Sequence, residues 1–296
     1  MQANLLNQLT AMLSTMRALT SDEAAVVRRR RWSEKMNPDD LQVLRVEKCP
    51  EATVFEDFLL EDLQLQLGFS VRPAPSTVPG AGRGAFCSGG AAPGTVLGMY
   101  PGIVYLPGHL LRSEGALEAL YPDGDLHLFA RFDGAVVDAR GASPPPLGSH
   151  ANHARLATHR RLRHRDPKVA PPSPFAVGHY CNHPPRGQPA NVMAVAVDFP
   201  SGHFGSAAGS FPPELLPLVP NIYDSTPSLL KGTYSATLGV AMPSVAILAT
   251  RAILDGDELF LDYRLSPNTD RPEWYCAVDP EEEQRRWASS AQGMPK

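Results

Sequence analysis

The sequence predicts a mainly β protein with a helical N-terminal region, and three observations carry that prediction. The 296 residues include 30 Pro and 24 Gly, which is about twice ordinary Pro usage. Such a chain cannot be mainly long helices, because Pro lacks the N–H and clashes inside them. Yet 43% of the residues are hydrophobic and 7% aromatic, enough to build a core, so the chain is not disordered throughout. Finally, the periodicity changes at Gly68, from helical spacing before it to short β-prone runs after it.

Residues 1–68 read as a helical N-terminal region. Leu5, Leu9, Met12, Met16 and Leu19 recur three or four residues apart and share one helical face. Thr20 and Glu23 have capping-box spacing, which predicts a second helix start. Asn37 and Pro38 form another, with Asn as cap and Pro in the first turn. A third start follows Pro50, with Val54, Phe55, Phe58, Leu59 and Leu63 as its apolar face. Gly68 can end that helix.

Residues 69–265 read as the β domain. Short runs at 95–100, 103–105, 126–132, 135–138, 191–199 and 245–250 are bounded by Gly and Pro, which predicts strands in several small sheets. Two irregular inserts interrupt them. One spans about 141–174 and holds Pro144-Pro145-Pro146, five Arg, one Lys, four His and one acid, Asp166; it reads as a flexible loop. The other runs from about 201 to 239. Residues 266–296 read as a C-terminal tail.

Charge and cysteine usage narrow the class. A net charge of -4 and a pI near 6.1 argue against a surface coated in basic charge for wrapping nucleic acid. The basic insert reads as a solvated loop, with contact to nucleic acid or an acidic partner as the other reading. Cys49, Cys87, Cys181 and Cys276 are widely spaced with no C-x-x-C, so reduced thiols in an intracellular protein are expected. No run approaches 18 apolar residues, and no membrane-spanning helix is expected. The compartment reads as nuclear or cytoplasmic. The N-terminus keeps a mitochondrial presequence open, since no acid precedes Asp22 although Arg17 is the one early base. Arg28 to Arg31 is either a solvated helix face or a nuclear import signal. His150, His153, His159 and His164 lie among too few partners to predict a metal site.

Chemistry concentrates in ordered motifs. Gly80-Ala81-Gly82-Arg83-Gly84 suggests a dinucleotide loop, but that reading needs a strand before it, a helix after it and an acid about 20 residues on. Phe86-Cys87-Ser88-Gly89-Gly90 follows instead, so a Gly-rich turn fits better. The continuation is more specific. Gly82-Arg83-Gly84-Ala85-Phe86 is followed by Pro93-Gly94-Thr95-Val96-Leu97 and Met99-Tyr100-Pro101-Gly102. Next come Leu128-Phe129 with Asp133-Gly134-Ala135-Val136-Val137-Asp138-Ala139, then Val177-Gly178-His179-Tyr180-Cys181-Asn182-His183, then Pro189-Ala190-Asn191-Val192. The series closes on the run from Ile247 to Tyr263, which contains Asp255-Gly256-Asp257-Glu258-Leu259-Phe260-Leu261-Asp262-Tyr263.

In this order the segments resemble the SET domain of the protein-lysine methyltransferases. The resemblance implies a SET fold, small β-sheets around a threaded, knot-like C-terminal segment. It implies S-adenosyl-L-methionine as cofactor and a protein substrate presenting a lysine as partner; the composition makes nucleic acid an unexpected partner and leaves no membrane span. It also implies roles residue by residue. Gly82, Arg83 and Gly84 match the turn whose backbone approaches the cofactor, where glycine tolerates positive φ and leaves room. Asn182 and His183 match the cofactor-contacting pair, whose side chains and amides suit the amino-acid carboxylate and adenine. Tyr263 matches the closing Tyr at the methyl-transfer site; taken alone it reads as a core Tyr at a strand end. Tyr100 matches an aromatic of the lysine channel, and His179 a position that contacts substrate. Trp274, beside Tyr275, resembles a closing segment that covers the cofactor; its other reading is a cap on the core.

The match has departures. Pro184-Pro185-Arg186-Gly187-Gln188 stands where the family places its Asn-His-Ser-Cys continuation, and after Cys181 the only cysteine is Cys276. A three-cysteine zinc module therefore cannot form, and no structural zinc is expected. The expected function is methylation of a protein lysine, with a SET fold kept as an interaction module without turnover as the alternative.

Overall fold

The computed structural model describes residues 1–21, 24, 51–107, 127–140, 173–200, 211–223, 239–268 and 270–291. Thr20, the first residue of the expected Thr20–Glu23 capping box, is the C-cap of the first helix; Glu23, the expected helix start at Asn37, the Arg28 to Arg31 run, His150, His153, His159, His164 and most of both inserts lie outside these residues.

Helix α1 (Gln2–Leu19) buries Leu5, Leu6, Leu9, Met12, Leu13 and Met16, which broadens the expected stripe by its second row. These residues belong to the same apolar core as the strands. Helix α2 (Glu51–Leu67) packs on α1, buries Leu59 and Leu63, and ends at Gly68. Gln8 of α1 does more than pack. Its Nε2 donates to Gly94 O at 3.0 Å and its Oε1 accepts from Val96 N–H at 2.8 Å, so a helix side chain satisfies the edge of the strand beginning at Val96.

Among the described residues nine short strands form three sheets. Strands β1 (Phe69–Pro75) and β2 (Arg83–Gly89) make an antiparallel hairpin that buries Phe69, Val71, Ala85 and Cys87. Strands β3 (Val96–Met99), β7 (Val192–Pro200) and β9 (Val240–Ala249) form an antiparallel sheet with β9 central. Strands β4 (Gly102–Tyr105), β5 (Leu128–Ala130), β6 (Val136–Asp138) and β8 (Asn221–Tyr223) form the third, in the order β5-β6-β4-β8, with β4 and β8 parallel.

Several boundaries shift from the sequence reading for identifiable reasons. The hairpin β1–β2 is absent from that reading because Pro73 and Pro75 argue against a strand. In a two-stranded sheet the missing N–H groups cost nothing on the open edge. Strand β9 begins at Val240 rather than 245 although it contains Pro243, because that stretch pairs only with β7, and β3 joins at Ala246. Strand β5 is shorter than the expected 126–132. The tail contains a helix, α3 (Pro280–Ala291), with Glu281, Glu282 and Glu283 in its first turn, where carboxylates favour a helix.

A buried cation joins two sheets. Arg131, after β5, donates to Asp133 and Asp198 at 2.9 and 2.6 Å and to Val197 O and Ser244 O of β7 and β9. All three nitrogens of its fork are used.

The C-terminal segment after β9 is laced into this frame. Phe86 pairs with Glu258 and Ala91 with Ile253, while Phe260 pairs with Asn182 and Leu261 with Val192. Leu259 N donates to Ala85 O at 2.8 Å and Leu261 N to Asn182 O at 2.9 Å. One short closing strand therefore touches both the Gly82–Gly84 turn region and the Asn182–His183 segment. This is the SET arrangement of small sheets around a laced C-terminal segment.

Candidate active site

The site gathers at Asn182 and His183, placed by the 3-10 turn Gly178–Tyr180 that precedes them. That turn lies against the core because Gly178 has no side chain: a Cβ there would stand 2.9 Å from Tyr100 Cα and from Ile247 Cγ1. Tyr100 is buried and packs on Phe129 at 5.6 Å. Its backbone is fixed by two residues that sequence reasoning did not single out. Asn221 Nδ2 donates to Tyr100 O at 3.0 Å, and Ser244 Oγ donates to Asn221 Oδ1 at 2.6 Å.

Asn182 Nδ2 lies 3.0 Å from Arg83 O, 3.1 Å from Ser76 Oγ and 3.2 Å from Glu258 Oε1. Its amide nitrogen thus ties the Gly82–Gly84 turn to the closing strand. Among the described residues no hydrogen bond reaches Asn182 Oδ1, which leaves an acceptor for a ligand. Glu258 is buried and accepts from Ser76 Oγ at 2.6 Å, from Thr77 N at 2.8 Å and from Thr77 Oγ1. Burial pushes its carboxyl up, but the hydrogen bonds from Ser76, Thr77 and Asn182 outweigh burial and hold it below the ordinary value. The turn has room for Glu258 because a Cβ on Gly84 would fall 2.1 Å from Glu258 Oε1. Arg83 donates to Pro73 O at 3.0 Å and lies 5.6 Å from the Tyr180 ring centroid.

His183 is buried and both its ring nitrogens face protein. Nδ1 accepts from Tyr263 N–H at 3.3 Å, which assigns the proton to Nε2, the donor to Cys276 O at 2.8 Å. Burial, opposed by that carbonyl, lowers its pKa. The ring contacts expected for the cofactor are therefore committed to the protein, and the backbone of His183 is what remains to face a ligand. Its ring stacks on Tyr275 at 4.5 Å and 27°, and Trp274 lies 6.1 Å away.

Tyr263 stands between these groups. Its hydroxyl donates to Cys181 O at 3.2 Å, and its ring meets His183 at 5.5 Å and Trp274 edge-on at 6.2 Å. Burial, reinforced by Cys181, raises its pKa well above the ordinary phenol value. Trp274 remains 53% exposed, a large aromatic face beside the site. His179 is buried, its ring 4.0 Å from that of Tyr180, and among the described residues neither ring nitrogen has a hydrogen-bond partner. Burial, with His127 adding to it, drops its pKa to about 3.

The structure thus brings Gly82, Arg83, Gly84, Asn182, His183, Tyr263 and Trp274 together, with His179 on the turn that leads in and the backbone of Tyr100, after β3, packed against that turn. The proline interruption after His183 is taken up by a turn in which Gln188 N donates to Pro185 O at 3.0 Å. The chain then returns to Asn191, which is buried and clips the closing strand through Nδ2 to Glu258 O at 2.8 Å and Oδ1 from Phe260 N at 2.7 Å. Glu258 and Asn191 were visible only as letters of their motifs, because their work depends on contacts distant in sequence. Among the described residues no group of three or more His, Cys, Asp or Glu could hold a metal ion, and no helix is long and apolar enough to cross a membrane.

Comparison with known proteins gives relatives and solved structures similar to this chain. The SET domain-containing protein 9 of Pongo abelii is 30% identical over 206 residues, covering 69% of this chain and 66% of that protein. The Homo sapiens protein of the same name is 30% identical over 206 residues, covering 69% of this chain and 60% of its own length. The chain therefore spans slightly less than two thirds of the curated relatives it matches. Solved structures that match include ctPRC2 in an autoinhibited conformation bound to S-adenosylmethionine, 13% identical with a TM-score of 0.33 over 78% of this chain and 18% of that one. Apo ctPRC2 in an autoinhibited state is 14% identical with a TM-score of 0.32 over 79% of this chain and 19% of that one. No family model matches the sequence. With three small sheets among the described residues, a C-terminal strand laced between the Gly82–Gly84 turn and Asn182, and SET domain-containing relatives 30% identical over 206 residues, the chain belongs to the SET-domain family.

Proposed function

We propose that the chain is an S-adenosyl-L-methionine-dependent methyltransferase acting on the lysine of an intracellular protein. The observation that carries this reading is the convergence at one place of an Asn182 Oδ1 with no hydrogen bond among the described residues, a turn open at Gly82, a protonated Tyr263 and an exposed Trp274 face. These groups fit the cofactor: an amide oxygen accepts from its ammonium, an indole face covers its adenine or its cationic end, and glycine lets the backbone approach.

The cofactor supplies a methyl group on a cationic sulfonium. The protein's part is positioning and desolvation. Tyr263 stays a phenol at neutral pH, so its oxygen orients an incoming amine and accepts from a polarised C–H rather than acting as a base. A lysine entering beside Tyr100 and Tyr263 loses water, which lowers its pKa and favours the free amine. His179, neutral and without a hydrogen-bond partner among the described residues, offers a donor and an acceptor on the way in.

The reading is tested by calorimetric titration of S-adenosylmethionine into the wild type and Asn182→Ala, followed by radiolabelled methyl transfer to a peptide library. Binding lost in the variant and label on lysine support it. Absence of heat in the wild type, with no competition by S-adenosylhomocysteine, removes it in favour of an interaction module.

A further inference from the structure

Trp274, Tyr275 and Cys276 cross His183 on a segment that has no strand or helix of its own. What holds it is Arg271. The guanidinium donates to Glu283 through Nη2 at 2.7 Å and Nη1 at 3.3 Å. It also donates to Ser266 O through Nε at 3.1 Å and to Leu265 O through Nη2. Its carbon lies 4.8 Å from the centroid of the Tyr275 ring, and that ring stacks on His183. Glu283 is in the first turn of α3, where its amide donates to Asp279 O at 2.9 Å. An unbroken line of contacts thus runs from α3 through Arg271 and Tyr275 to His183, and from there to Cys276 O and Tyr263 N–H.

We infer that Arg271 is the positioning residue of the cofactor face: paired with Glu283, it fixes Tyr275 and Trp274 over His183 and so sets how tightly S-adenosylmethionine is retained. The retention half of this rests on the methyltransferase reading; the positioning half does not. Arginine suits the place because one planar fork serves a carboxylate and two carbonyls while stacking on an aromatic face, which an ammonium cannot do. The pair is partly exposed, with side chains 22% and 18% accessible, so it opens without unfolding the core.

The experiment compares the wild type with Arg271→Ala, Glu283→Gln and Arg271→Lys by amide hydrogen exchange, reading the peptide over 271–277 against β7 as internal control. Exchange in 271–277 is expected to rise roughly tenfold in the first two variants with β7 unchanged, since only a local opening is eased. The Lys variant should fall between them and the wild type. The S-adenosylmethionine dissociation constant, by calorimetry, is expected to weaken roughly tenfold in parallel. Unchanged exchange over 271–277 overturns the positioning role whatever the cofactor does. Faster exchange with unaltered affinity overturns the retention role. A wild type that binds no S-adenosylmethionine removes the methyltransferase reading and retention with it, while exchange still decides positioning. If Arg271→Ala also exposes β7, Glu283→Gln, which removes one charge only, makes the decision.

Discussion

Asn182 and Glu258 meet at 3.2 Å through Nδ2 and Oε1, and this contact joins the Asn-His segment to the closing strand. Among the described residues no cation pairs with the buried carboxylate of Glu258. Four donors from Ser76, Thr77 and Asn182 take the place of one, and a set of such bonds is what keeps a buried carboxylate ionised. The amide of Asn182 is thereby turned so that its nitrogen faces the protein and its oxygen the site.

Glu258→Gln is expected to damage both stability and binding. The new NH₂ faces hydroxyl and amide donors, leaving at least one buried group unsatisfied, at a cost of about 1–3 kcal/mol. Urea denaturation should show it, and S-adenosylmethionine affinity should fall because Asn182 is free to rotate. The sign with pH follows from the lowered carboxyl. Its contribution is full above the unfolded value near 4.5 and is lost as pH falls through the folded value. The wild type should therefore lose more stability than the variant on acidification below about pH 4.5. Equal acid limbs would refute the assignment.

Much of this was legible in the sequence, and the part that was not has physical causes. The motif segments and most strands could be read because local turn chemistry and period mark them. The hairpin β1–β2 was hidden by Pro73 and Pro75, which are harmless only because their strand is paired on one side. Helix α3 was hidden by a polar stretch, Glu281 to Arg286, whose value lies in capping and in Glu283 reaching Arg271. The roles of His183 and Glu258 depend on partners 93 and 182 residues away, which no local spacing reveals.

His179 should make the fold acid-sensitive. Its pKa falls from 6.5 to about 3, so the folded state excludes a proton that the unfolded chain takes up below 6.5. Stability is therefore full above pH 6.5 and declines as pH falls towards about 3. Between pH 7.5 and 5 the loss from this one group should be about 2 kcal/mol. His179→Phe should abolish that share of the loss in urea titrations at the two pH values. A variant as pH-dependent as the wild type would show that the imidazole is protonated in the fold.

Tyr263→Phe is expected to cut methyl transfer by roughly a hundredfold or more, the range for a positioned group at the reacting centre. Folding should lose only about 1 kcal/mol for the bond to Cys181 O, and cofactor affinity should change little, since the ring and its edge contact with Trp274 remain. Because burial holds the phenol protonated, the wild-type rate should show no step from Tyr263 between pH 8 and 10 when measured with saturating peptide. Activity undiminished in the variant would take Tyr263 out of the transfer site.

Trp274 offers the most direct reading of ligand on the protein. The indole is 53% exposed and edge-on to Tyr263 at 86°, so a ligand lying against His183 and Tyr263 must cover it. S-adenosylmethionine should shift the tryptophan emission to the blue, and Trp274→Ala should remove the shift. The variant should weaken affinity roughly tenfold, as loss of a cation–π or stacking face does. Because little of the side chain is in the core, thermal stability should barely move. A fall in melting temperature with affinity intact would instead make Trp274 a cap on the core, and the aromatic face beside the site would be structural.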